Sequence, residues 1–342
     1  MLLFSIGNVF LKVFSNVLSL SNVYLRNEAL SRKAALLYVI SPASIFFSAF
    51  YTESIFCFFT FLGYYFLYKD EFYSIKNIVF ATISFGLSGF VRSNGNFYIL
   101  LIGYQLLHRL IEFVKKEITI SLKIKECTKI IGIGILILIS MNIPYFLVMR
   151  NPYETYCINF QVYELAEKPV FCQNLLPNAY TYIQDKFWDV GFLTSWQMNK
   201  IFFVIWGIPM LGLMLIILLK YYRKNFVNMI LLGLPEAFRK DTVTDYDVFY
   251  SSKNIPTILL TTIMFIINTF FAHINVSSRL NSSNPIIYWY GAYSMSVASK
   301  TLEGKDTGNS LFLSFKNHWI IYYFVFYVIT GCIVFTNFYL FV

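Results

Sequence analysis

The chain has 342 residues, of which 57% are hydrophobic and 13% charged, and it carries a formal net charge of +9. A soluble domain has roughly 25% charged residues, so this composition excludes a globular protein bathed in water on all sides. The positive balance does not point to nucleic acid either, because the cations sit in short clusters between apolar runs, as membrane-protein loops do.

Apolar stretches near the ~20-residue length that crosses a bilayer recur along the whole chain, at about 1–20, 34–50, 54–68, 77–91, 96–111, 130–148, 200–219, 256–272, 285–299 and 319–341. The first lacks the basic start and small-residue cleavage site of a signal peptide. Together they predict an all-α polytopic membrane protein of about 8–10 spans, a single transmembrane domain over 1–342 without internal repeats. The 37 Phe and 26 Tyr suit helices packed in lipid with rings at the interfaces.

Sidedness follows from counting Lys and Arg in alternate connections. The set 21–33, 69–76, 107–129, 220–255 and 300–318 holds 20, against 6 in the other set. The first set is therefore expected in the cytoplasm and the second in a lumen. Segment 220–255 reads as a solvated cytoplasmic loop, and 112–129, with five lysines, as a stretch along anionic headgroups.

The 149–200 connection is then a lumenal loop. Cys157 and Cys172 lie 15 apart within it, where an oxidising compartment permits a disulfide. Tyr180, Ile183, Phe187 and Val190 recur at helical spacing, which predicts a short amphipathic helix at the interface. Trp188 and Trp196 flank the return to the membrane. Two N-glycosylation sequons, at Asn275 and Asn281, fall on the same side.

Ionisable and amide groups beside apolar spans are costly in hydrocarbon and mark cavities or reaction sites. Three clusters stand out, all on the predicted lumenal side. Ser41-Pro42-Ala43 is followed by Tyr51-Thr52-Glu53-Ser54, and Glu53 reads either as a cap of the helix starting near Ser54 or as a functional carboxylate. Arg92-Ser93-Asn94-Gly95 joins two spans; its guanidinium suits phosphate oxygens, and Gly95 would let the chain turn with positive φ. The third runs from His273 through Arg279 to Pro285, with Tyr288, Trp289 and Tyr290 read as an interfacial aromatic belt. No metal-ligand spacing, phosphate loop or nucleophile elbow occurs, so neither a metal nor another cofactor is expected.

Read in order, SPASIFFSAFYTESIF (41–56), FGLSGFVRSNG (85–95), PNAYTYIQDKFWDVGF (177–192), HINVSSRLNSSNPIIYW (273–289) and FTNFYLF (335–341) resemble the GPI mannosyltransferase II (PIG-V-like) family. The resemblance implies a GT-C-type glycosyltransferase transmembrane bundle in the endoplasmic reticulum, multi-pass, with its active face in the lumen. It implies transfer of the second, α1,6-linked mannose onto the GPI-anchor precursor. The donor would be dolichol-phosphate-mannose and the acceptor the GPI glycolipid, with a small accessory membrane subunit as a further partner and no nucleic acid.

On that resemblance, Glu53 is the candidate catalytic carboxylate. Tyr51, Arg92, Ser93, Asn94, Gln184, Trp188, His273 and Arg279 are candidate substrate contacts, Arg92 holding phosphate. The family's acidic loop of the RWDxxHF type has no counterpart here, and the chain starts within what resembles the family's second span. An N-terminally truncated member is therefore expected, and the alternative is a non-catalytic membrane subunit or inactive paralogue lacking the catalytic lumenal loop.

Overall fold

The computed structural model describes residues 2–49, 51–69, 74–115, 119–159, 169–173, 178–233, 248–303 and 310–337. Among them the chain is helical throughout, with no strand. In order come α1 (Leu2–Leu25), α2 (Glu28–Val39), α3 (Ser44–Ser48), α4 (Glu53–Lys69), α5 (Ile75–Val91), α6 (Ile99–Lys115) and α7 (Ile120–Tyr153). There follow α8 (Ala179–Trp188), α9 (Ile201–Ile230), α10 (Ile255–Phe270), α11 (Ser277–Leu280), α12 (Pro285–Glu303) and α13 (Ser310–Thr336).

Within the described residues, each predicted apolar stretch falls mainly on one of these helices. The stretch 34–50 is the exception in detail: it is broken into α2 and α3 at Ser41-Pro42, where proline disfavours helix in the residue before it and donates no N–H. Among the described residues, four helical segments are long and apolar enough to cross a membrane unaided: 120–143, 198–230, 252–270 and 318–336. The 17-residue α5 is apolar but spans only about 25 Å at 1.5 Å per residue, short of the ~30 Å hydrocarbon core. The expected cytoplasmic loop at 220–255 begins later than composition suggests, because α9 continues to Ile230. Tyr221 explains the extension: it is buried, and its hydroxyl donates to the Ser251 carbonyl at 2.8 Å. Residues 234–247 of that loop lie outside the described residues, as do 160–168 and 174–177 of the 149–200 loop.

α4 lies between α1 and α5, α7 packs on α5 and α6, and α12 packs on α2 and α13. The core is aromatic. Tyr38, Phe61, Tyr64, Phe85, Tyr288 and Trp289 are all but inaccessible. Trp289 stacks on Tyr24 with centroids 4.1 Å apart and donates to Ser21 Oγ at 3.0 Å. The reading of Tyr288, Trp289 and Tyr290 as an interfacial belt is therefore corrected: α12 starts in the centre of the bundle, and these rings are 1–2% exposed. An apolar run cannot itself distinguish lipid from neighbouring helices, since both are apolar.

Helix α9 meets the turn 274–276 in close contact at Gly207. A Cβ on Gly207 would stand 2.1 Å from the Ile274 carbonyl oxygen, so glycine is the residue that permits this approach.

Candidate active site

The three polar clusters converge at one end of the bundle. Pro42 ends α2, the chain doubles back through α3, and α4 opens with Glu53 in its first turn. A carboxylate there lies at the positive end of the helix dipole. Arg92 is the C-cap of α5, at the negative end of its helix. Arg279 lies on α11, placed by the same turn that abuts Gly207.

Glu53 is the one carboxylate among the described residues that is fully buried. Its Oε1 takes Arg92 Nη1 together with Arg279, whose Nε donates at 2.7 Å and Nη2 at 2.6 Å. The Oε2 atom is buried with no hydrogen-bond partner among the described residues. Arg279 lies over the rings of Phe46 and Tyr51, 4.4 and 4.8 Å from their centroids, and Arg92 stands 5.9 Å from that of Phe56. Two cations on one anion leave the cluster with a net charge of +1. The arginines are 18% and 14% exposed against 0% for Glu53, so the surplus charge lies on the accessible side of the cluster. Each guanidinium carries five donors, more than one shared oxygen can use.

Around this cluster, Ser93 Oγ meets Tyr180 Oη at 2.8 Å and Asn94 Nδ2 donates to the Leu280 carbonyl at 3.5 Å. Tyr98 Oη meets Ser283 Oγ at 2.8 Å. Gly95 does not take the positive φ expected of it; the only glycine that does among the described residues is Gly233. The 93–98 segment is a 3-10 turn, and a Cβ at Gly95 would lie 2.6 Å from the Gly89 nitrogen. Glycine is needed there for backbone approach rather than for a left-handed turn.

The predicted interfacial helix is α8, capped at its start by the Asn178 side chain accepting from Thr181 N. Its apolar residues are not packed away: Phe187 is 70% and Trp188 62% exposed. Cys157 and Cys172 are joined by a disulfide beneath it, and Phe171 packs on Tyr182. His273 Nε2 donates to the Trp188 carbonyl. Ser195 Oγ and Trp196 Nε1 donate to the carbonyls of Ala272 and Thr269.

Of the candidates, Tyr51, Glu53, Arg92 and Arg279 are thus in direct contact. Ser93 and Asn94 flank them, His273 and Trp188 pair with each other, and half-exposed Gln184 lies outside these contacts. Asn275 is half-buried in the 274–276 turn. Asn281 is 1% exposed and donates to the Ser277 carbonyl at 2.8 Å. That correction removes it as a glycan acceptor in the folded chain, because a bulky sugar needs a free, accessible amide. Phe46 and Tyr98 escaped sequence reasoning, since nothing distinguishes them from other aromatics. The Ser282-Ser283-Asn284 run is the one signal that pointed to Tyr98's partner.

The Asp189 carboxylate pairs with Lys200, and this ammonium holds its pKa below the usual carboxylate range. A lowered value means the link is complete above the ordinary range and is lost as pH falls through the lowered one. The 189–200 amides are therefore expected to keep their hydrogen-exchange protection, corrected for intrinsic rate, as pH falls through the ordinary aspartate range. In Lys200→Ala protection should be weakened already at neutral pH; equal protection in both proteins would show that the link does not hold the segment.

The full chain, residues 1–342, matches the family described as Mannosyltransferase (PIG-V). It is 24% identical over 334 residues to GPI mannosyltransferase 2 of Schizosaccharomyces pombe, covering 96% of this chain and 61% of that one. It is 27% identical over 311 residues to GPI mannosyltransferase 2 of Drosophila pseudoobscura pseudoobscura, covering 83% and 64%. GPI alpha-1,6-mannosyltransferase 2 of Homo sapiens is 24% identical over 279 residues, 76% of this chain and 55% of that one. The chain thus spans 55% to 64% of the length of these curated relatives. No solved structure matches it. A helical membrane bundle, the acid–arginine cluster at one end and a match along its full length agree: the chain belongs to the PIG-V mannosyltransferase family.

Proposed function

We propose that this chain forms the phosphate-binding part of a mannosyltransferase that adds the second, α1,6-linked mannose to the GPI-anchor precursor. The observation that carries the reading is the pair of partly exposed guanidiniums held on one buried carboxylate, with one positive charge in surplus. When the bond from the mannose anomeric carbon to a lipid phosphate breaks, negative charge grows on the departing phosphate. Fixed guanidinium donors stabilise that charge most where water is scarce. The acceptor is a GPI glycolipid, as the names of the relatives suggest, and the donor in this reading is dolichol-phosphate-mannose, whose lipid phosphate the two guanidiniums would hold. The cation bias between loops supports placing this cluster on the side opposite the cytoplasm, which is the lumen for the endoplasmic reticulum protein of this reading.

Glu53 acts here as a positioning residue. It is buried behind both arginines, out of reach of a substrate hydroxyl, and its work is to aim the two forks. Ser93 and Asn94 flank the cluster, and in this reading they and the α8 residues Gln184 and Trp188 would meet sugar hydroxyls. An accessory subunit remains part of this reading.

Disrupting the gene in its own cells and identifying the GPI intermediate that accumulates tests the step. Build-up of the one-mannose lipid supports it, and an unchanged profile with no second copy of the gene overturns it. Complementation with full-length Arg92→Lys or Arg279→Lys tests the site. Lysine keeps the charge but not the fork, so transfer is expected to fall by about 10²-fold, the scale of losing one transition-state donor. Wild-type turnover in both would discard the phosphate role.

A further inference from the structure

A small cavity lies between the 93–98 turn, α10 and the segment that follows Arg279, with about 10 Å³ for the centre of a water-sized molecule. That is the room of a single water. Leu260 and Met264 of α10 supply part of its apolar wall, and four of its lining residues are polar. Two of the four are satisfied. Tyr98 Oη meets Ser283 Oγ at 2.8 Å. Asn284 Nδ2 donates to Thr261 Oγ1 at 2.8 Å, and its Oδ1 accepts from Ile286 N at 3.3 Å.

The other two are Asn94 and Asn281. Each spends its amide nitrogen on a carbonyl, of Leu280 and Ser277 respectively. Each leaves a buried Oδ1 with no hydrogen-bond partner among the described residues, and the residues are 8% and 1% exposed. A buried acceptor left unmade is costly. Two acceptors facing the room of one water call for a small molecule with two donors, which water is. A hard cation fits less well, because it takes about six or more oxygen ligands and the neighbouring cluster of Glu53 with two arginines already carries a surplus positive charge.

Each asparagine shares a hydrogen-bonded turn with one of those arginines. Gly95 N donates to the Arg92 carbonyl at 2.9 Å, closing a turn around Asn94. Asn281 N and Nδ2 both reach the Ser277 carbonyl, at 3.1 and 2.8 Å, closing a turn around Arg279. The direct bond between these two turns, from Asn94 Nδ2 to the Leu280 carbonyl, is long at 3.5 Å. We infer that one ordered water, donating to Asn94 Oδ1 and Asn281 Oδ1, locks the Arg92 turn to the Arg279 turn and makes both asparagines positioning residues for the two guanidiniums. A bridging water holds nearly as well as a direct bond. This rests on the phosphate reading above and adds what fixes the spacing of the two forks. Asn94 keeps a second amide hydrogen for a sugar.

The full-length protein in a lipid nanodisc, solved by electron cryomicroscopy at a resolution that shows ordered water, should carry density within about 2.7–3.2 Å of both Oδ1 atoms. Contacts of about 2.4 Å would mark a cation, and a map that shows other buried waters but none here would mark a dry pocket; either overturns the inference. Asn281→Ala and Asn281→Leu separate a water from simple packing. Both lose the bond to Ser277, but alanine leaves room for solvent to replace the amide, whereas leucine fills the pocket and expels the water. The unfolding temperature should therefore drop further in Asn281→Leu than in Asn281→Ala. The reverse order is what packing alone gives, and it would discard the water. In microsomal transfer, the donor KM of Asn281→Leu should rise about three- to tenfold, the scale of one lost hydrogen bond. A smaller folded fraction lowers the maximal rate and leaves KM alone, so an unchanged donor KM would remove the positioning role. Wild-type turnover in Arg92→Lys and Arg279→Lys would sink the phosphate reading without touching the density or the order of unfolding temperatures.

Discussion

Glu53→Gln is expected to destabilise the protein by about 3–5 kcal/mol, the cost of removing one partner from a buried ion pair. The partial exposure of both arginines places the effect toward the lower end of that range. Two guanidiniums now share one carboxylate oxygen. With a neutral amide in its place they face each other with no anion between them, and the first response is to move apart. That movement pulls on the start of α11 and on the end of α5, so transfer should fall together with stability. Thermal unfolding in detergent, read beside microsomal transfer, measures both.

A second variant makes this result specific to the charge balance. Arg279→Met keeps an apolar stem over Phe46 and Tyr51 while removing one cation. Combined with Glu53→Gln, it should recover part of the lost stability, because neighbouring charges couple non-additively. Strictly additive losses would mean that the three side chains do not act as a unit. Activity should not recover in the double variant, since one phosphate fork is gone.

Gly207→Ala is the second large effect. Its added Cβ would sit 2.1 Å from the Ile274 oxygen, 2.3 Å from Ile274 Cγ2 and 2.5 Å from its carbonyl carbon. Two of these three are backbone atoms, so no rotamer change relieves the contact. Overpacking typically costs about 1–3 kcal/mol, and here the upper part of that range is expected because a helix or a turn must shift. The Ser277 hydroxyl, which donates to the Gly207 carbonyl at 3.3 Å, would lose its partner. Arg279, two residues on, would be displaced from Glu53. The expected outcome is a lower unfolding temperature accompanied by a fall in transfer; normal values of both would mean that α9 can stand off the turn without consequence.

Both predictions concern contacts that no local pattern could announce. The helices were legible, because a span in lipid must be apolar over its whole length and that property is local. Their order also implied that the segments near Glu53, Arg92 and Arg279 would lie at one end, since successive spans alternate in direction. The charge bias between loops added which end to expect on which side.

What only the tertiary structure decided is how those segments meet. Glu53 lies 39 residues from Arg92 and 226 from Arg279, and its role as counter-ion to both depends on where three helix ends are packed. Gly95 and Gly207 serve close approach, which exists only once two backbones are adjacent. Tyr288, Trp289 and Tyr290 were misread because a bilayer and a bundle interior look alike to an apolar side chain. Asn281 satisfies a sequon yet is enclosed, and burial is a property of neighbours rather than of a tripeptide. Composition and periodicity determined that this protein is a membrane bundle with its polar chemistry at one end. Packing determined which of those polar residues touch, because the distance between side chains is set by helix placement and not by spacing along the chain.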